Sequence, residues 1–101
     1  MSNYKDEVSR VLNGIIAEGL TLVGLDDGET VDVTKFTTED YIEGILAVGD
    51  AHLYLKRHKD DNDTAVYFVL GNEPGVAVND FAGKESVAVD KVTSEVYDHF
   101  N

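Results

Sequence analysis

Seven consecutive residues in the second half of the chain, Thr64-Ala65-Val66-Tyr67-Phe68-Val69-Leu70, are apolar almost throughout. They are rich in β-branched and aromatic types, and Gly71-Asn72-Glu73-Pro74-Gly75 breaks the chain directly behind them. A short apolar run closed by strong turn chemistry predicts a strand. With so little polar alternation, the expected strand is covered on both faces and central in a sheet.

The flanking segments supply what such a strand needs. Val8, Val11, Leu12, Ile15 and Ile16 recur at helical spacing, after Ser2 or Asn3 as cap and Asp6 and Glu7 in an expected first turn. Gly19 is the expected stop. Residues 20–25 read as a strand and 29–33 as its hairpin partner, because Asp27-Gly28 is a hairpin turn and Val31 and Val33 alternate with Thr30 and Asp32. Thr37-Thr38-Glu39-Asp40 opens a second helix with Thr37 as cap, carrying Tyr41, Ile42, Ile45 and Leu46 as a stripe that ends at Gly49-Asp50. Ala51, Leu53 and Leu55 alternate with His52, Tyr54 and Lys56, the mark of a half-exposed strand. Residues 76–81 read as a short strand. Val89, Val92, Val96 and Phe100 space a final helix from about Ser86. The predicted class is α+β. A mostly antiparallel sheet of four to five strands carries helices on one face, in the order α-β-β-α-β-β-(β)-α within a single domain over 1–101.

The charge narrows the function. Twenty Asp and Glu against eight Lys and Arg give a formal −12 over 101 residues. Such a molecule repels polyphosphate and anionic lipid, so direct nucleic-acid or membrane-surface binding is not expected. A basic protein surface is the natural counterpart. The excess is also uneven. Residues 1–17 balance, residues 18–50 carry nine acids and only Lys35, and residues 51–101 carry nine acids and five bases. An adaptation to high salt would spread the acids more evenly.

The candidate partner-binding residues are therefore Asp26, Asp27, Glu29 and Asp32 on the first hairpin, with Glu39, Asp40, Tyr41 and Glu43 at the start of the second helix. Carboxylates on alternate strand residues lie roughly 6.6 Å apart, and those one helical turn apart roughly 5–6 Å. Phosphates along a nucleic-acid strand have a comparable spacing. An array of this kind can meet Lys and Arg built for phosphate, and Tyr41 could add an aromatic anchor.

Other chemistries leave no mark. Phosphate-binding glycine loops, the dinucleotide fingerprint and the serine elbow are all missing, and four serines and three histidines show no pairing in their spacing. No enzyme activity, cofactor or metal is expected. Asp61-Asn62-Asp63 starts like a calcium loop, but its sixth and twelfth positions are Val66 and Asn72. His52 and His58 are read as surface histidines. Lys56-Arg57-His58-Lys59 is read as local neutralisation of Asp60, Asp61 and Asp63. The lack of cysteine and of any long apolar segment suits a soluble protein of a reducing cytoplasm.

In size, acidity and lack of catalytic motifs the chain resembles the small inhibitors that phages and mobile elements deploy against host defence, anti-CRISPR proteins and DNA-mimic anti-restriction proteins among them. The block from Ala65 to Gly75, continued through Asp80-Phe81, resembles a segment of small plasmid and phage proteins. The first resemblance implies an inhibitor of a nucleic-acid-handling host complex acting by mimicry; it assigns no residues. An immunity protein or antitoxin for a basic nuclease toxin fits the same charge, as does a housekeeping domain of a salt-adapted organism.

Overall fold

The computed structural model describes residues 2–26, 28, 33–71 and 75–101. Three helices and four strands follow in the order α1 (Ser2–Ala17), β1 (Thr21–Asp26), α2 (Thr38–Val48), β2 (Asp50–Lys56), β3 (Thr64–Val69), β4 (Val78–Ala82) and α3 (Ser86–Phe100). The strands form one antiparallel sheet in the order β1-β2-β3-β4, so the class is α+β as the sequence predicts.

The expected hairpin partner of β1 falls mostly outside the described residues. Its last member, Val33, is not in a strand. Instead β1 pairs with β2, across the α2 crossing. A bulge at Val23 adds one residue to β1, so that Leu22 and Leu25 both oppose inward residues, Leu55 and Leu53, although they are three positions apart.

Local chemistry sets the helix ends. Thr37 and Asp40 form a reciprocal capping box. The Thr37 hydroxyl accepts from the Asp40 amide at 3.2 Å, and Asp40 Oδ2 accepts from the Thr37 amide at 2.8 Å. Gly49 closes α2 in the left-handed region (φ 72°), where a Cβ would be strained, and its amide donates to the Ile45 carbonyl at 2.9 Å. Helix α1 begins at Ser2, earlier than expected, so Asp6 and Glu7 lie past its first turn. Glu7 is in fact buried, accepting from the Gly75 amide at 2.9 Å.

The core lies between the helices and one face of the sheet. Val8, Val11, Leu12 and Ile15 of α1, Tyr41, Ile42 and Ile45 of α2, and Val89, Val92 and Val96 of α3 are buried against Leu25, Ala51, Leu53, Leu55, Val66 and Phe68. Ile16, expected in the α1 stripe, is instead exposed. Its place at the edge of the stripe turns it away from the sheet.

The central strand corrects the sequence reading. β3 is an inner strand, but only Thr64, Val66 and Phe68 are buried. Ala65, Tyr67 and Val69 are half-exposed. The shortest extent of the molecule is 19 Å, which accommodates one sheet and one helix layer and no third layer. The outward residues of β3 are apolar because they pack sideways on neighbours of the same face, as cross-strand pairs do.

Candidate functional site

The helices leave the second face of the sheet uncovered among the described residues. Register places its residues in rows across the strands. Asp26, His52, Tyr67 and Asp80 face one another in sequence along β1, β2, β3 and β4. The next row is Gly24, Tyr54, Ala65 and Ala82. The rings are ordered. His52 and Tyr67 stack with centroids 4.5 Å apart and planes 17° apart, while Tyr54 lies 6.5 Å from His52 at 15°. The 4.5 Å pair is in stacking contact, and Tyr54 stands off from it.

Carboxylates border the rings. Asp26 and Asp80 are exposed at the two edges of the row. Asp50, diagonal to Tyr67, accepts a hydrogen bond from the Tyr67 hydroxyl, and that bond holds the phenol above its ordinary 10.0. At the opposite end of β2 from Asp50, the positive side chain of Lys56 is taken up by Asp63 at 3.4 Å and by the Lys59 carbonyl at 3.4 Å.

The acidic stretch expected to form one face does not stay together. Asp26 lies in the open-face row. Glu39 and Glu43 belong to α2, on the opposite side of the sheet, and both contact Lys5 Nζ at 3.2 Å. Lys5 pulls the Glu43 carboxyl below its ordinary value. Asp40 is occupied by the capping box. Asp27, Glu29 and Asp32 lie outside the described residues. Tyr41 is a correction: it is only 4% exposed, packs edge-on against Phe36 with centroids 5.1 Å apart, and cannot anchor a partner. Position 41 follows the capping box by one residue, where the helix faces the sheet.

The basic run serves the fold more widely than expected. Lys56 pairs with Asp63 at 3.4 Å, as local neutralisation implies, and the His58 backbone amide donates to Asp61 at 3.0 Å. Arg57 reaches further, to the Glu18 carbonyl at 2.8 Å and the Glu85 carboxylate at 3.2 Å, tying the end of α1 to the start of α3. Lys84 meets Asp61 at 2.8 Å and Lys91 meets Glu18 at 2.9 Å.

Sequence reasoning did not single out Asp50, Tyr54, Tyr67 or Asp80 as site residues, and it passed over His52 as an ordinary surface histidine. The alternation of residues 51–56 already placed His52 and Tyr54 outward. Tyr67 was hidden by the apolar run around it.

Among the described residues no group of three or more His, Asp or Glu side chains could hold a metal ion, and no helix is long and apolar enough to cross a membrane. The chain matches no family model, no curated protein and no solved structure.

Proposed function

We propose that this chain is an acidic binding protein that occupies a basic surface of a nucleic-acid-handling host protein in the cytoplasm and thereby inhibits it. The supporting observation is how the positive charge is used. Six of the eight basic side chains, Lys5, Arg10, Lys56, Arg57, Lys84 and Lys91, are engaged in ion pairs within the chain. Four of them bridge parts of the chain far apart in sequence: Lys5 to Glu39 and Glu43, Arg57 to Glu85, Lys84 to Asp61 and Lys91 to Glu18. The large acidic excess is left to face outward. Such a surface is attracted to Lys and Arg arranged for phosphate, and the attraction speeds encounter more than it tightens the final complex.

Affinity capture from a bacterial lysate at low ionic strength tests this reading, with duplex DNA and RNA as competitors. Basic nucleic-acid-binding proteins should be retained, released by either competitor, and lose their nucleic-acid-dependent activity when this chain is added back. Retention that is indifferent to both competitors, or a captured protein whose activity is unchanged, would overturn it. Stability that climbs steeply up to molar salt would instead support the salt-adapted reading.

A further inference from the structure

We infer that the uncovered face of the sheet is the docking surface, and that it takes an arginine-bearing segment of a basic protein through the Asp26–His52–Tyr67–Asp80 row and the neighbouring Tyr54. The inference rests on the proposed basic partner and adds where that partner binds and which side chain is read.

Three observations carry it. First, four adjacent strands present planar rings between carboxylates, with strands about 4.8 Å apart, so that Asp26 and Asp80 stand about 14 Å from each other across the row. A guanidinium can lie flat on a ring while its N–H groups reach a carboxylate, whereas an ammonium is a compact point charge with no plane to stack. Second, the ring ladder is tight on one side only. His52 and Tyr67 cover each other at 4.5 Å, while Tyr54 stands 6.5 Å from His52, leaving a wider gap between those two rings. Third, the charge of the face suits a cation. Asp26, Asp50 and Asp80 border the rings, and Lys56 is already paired with Asp63.

Aromatic sheet faces also suit single-stranded nucleic acid, whose bases stack on rings. Here the three carboxylates stand where a phosphate chain would run, and that repulsion favours the protein partner.

The acids of α2 offer a weaker alternative. Glu39 and Glu43 share the Lys5 ammonium, which offsets part of their charge, whereas among the described residues Asp26 and Asp80 accept only backbone amides, from Gly28 at 3.0 Å and Phe81 at 2.8 Å, and keep theirs.

The test uses the intact chain, isotope-labelled for NMR, titrated at low salt with an arginine nonamer, a lysine nonamer of equal charge and a thymidine oligonucleotide. The arginine peptide should shift the resonances of His52, Tyr54 and Tyr67 first. It should bind roughly two- to five-fold tighter than the lysine peptide, the ratio that an exposed cation–π contact supplies. His52→Ala/Tyr67→Ala should erase the ratio while retaining the weaker, salt-sensitive binding common to both peptides. Glu39→Gln/Glu43→Gln should keep the ratio. Equal affinities with shifts confined to α2 would overturn this inference and leave the basic-partner proposal standing. Failure of both peptides to bind would remove the two together. Oligonucleotide binding on the same rings would replace the arginine segment with nucleic acid and overturn the inference as well.

Discussion

Strand β2 changes environment at every residue. Ala51, Leu53 and Leu55 point into the helix layer and are at most 1% exposed. Asp50, His52, Tyr54 and Lys56 point the other way, where no described helix covers them. The two faces share one backbone but divide the labour. The inward face supplies the burial that holds the molecule folded, while the outward face holds rings and carboxylates in register. A protein of this size has one core, so a face left out of it is free for recognition.

The sharpest way to break this comparison is to cut one side chain from each face. Phe68 is fully buried on β3. Phe68→Ala should cost about 3–5 kcal/mol, against a total of about 5–15 kcal/mol for a typical domain. Tyr54→Ala on the open face should cost about 1 kcal/mol or less, the worth of a cross-strand pair. Urea unfolding followed by circular dichroism measures both. Comparable losses would mean that the outward rings belong to a second core, and the recognition reading would lose its basis.

A smaller effect tests a hydroxyl on the buried face of β3. Thr64 is fully buried, and its Oγ1 accepts from the Glu85 amide at 3.0 Å just before α3. Thr64→Val keeps the shape and leaves that donor without its partner. The expected loss is about 1–2 kcal/mol. Faster amide exchange in the first turn of α3, with the centre of β3 unchanged, would assign the loss to this bond rather than to general loosening.

The helices, the antiparallel sheet and the capping box were legible because each rests on neighbours in sequence. Thr37 and Asp40 are three residues apart, and the inward residues of β2 alternate with a period of two. The pairing of β1 with β2 was not legible. Asp27-Gly28 signals a local turn, and nothing in the pattern announces a partner more than twenty residues away. The open face was half legible. His52 and Tyr54 follow the alternation, but Tyr67 stands among apolar residues whose outward members pack sideways. An unbroken apolar run therefore marks an inner strand without showing that both its sides are covered. The acidic stretch misled for a related reason: a count of charges along the chain carries no record of which side of the sheet each one occupies. Asp26 and Glu43 lie seventeen positions apart and on opposite sides of it.

Acid sensitivity should appear at two of the ion pairs. Hydrogen bonding to Lys5 holds the Glu43 carboxyl below its ordinary 4.5, and hydrogen bonding to Lys84 holds Asp61 below its ordinary 3.8. A carboxyl lowered by folding contributes stability that is whole above its ordinary value and is lost as pH falls through the folded value. The unfolding midpoint should thus decline as pH drops below 4.5. Lys5→Met/Lys84→Met should start lower at neutral pH and decline less. The Lys5–Glu43 pair is exposed and screened by salt, so its share of the effect should be modest and should shrink in 1 M NaCl.

The finest test sets one tyrosine from each side against the other. Tyr41 and Tyr67 both titrate above the ordinary 10.0, but from different causes. Burial raises Tyr41 by disfavouring the phenolate. Tyr67 is raised first by its hydrogen bond to Asp50, which needs the phenol protonated, with desolvation second. The stability tied to Tyr67 is whole below 10.0 and fades as pH rises through its folded value. Asp50→Asn removes the charge that opposes ionisation, so one of the two late tyrosines should move towards 10.0 in a phenolate absorbance titration while the other stays. Tyr67→Phe identifies which one moved. If Asp50→Asn shifts neither, the stack on His52 must be shielding Tyr67 as thoroughly as the core shields Tyr41. The outer ring would then be too enclosed to receive a guanidinium.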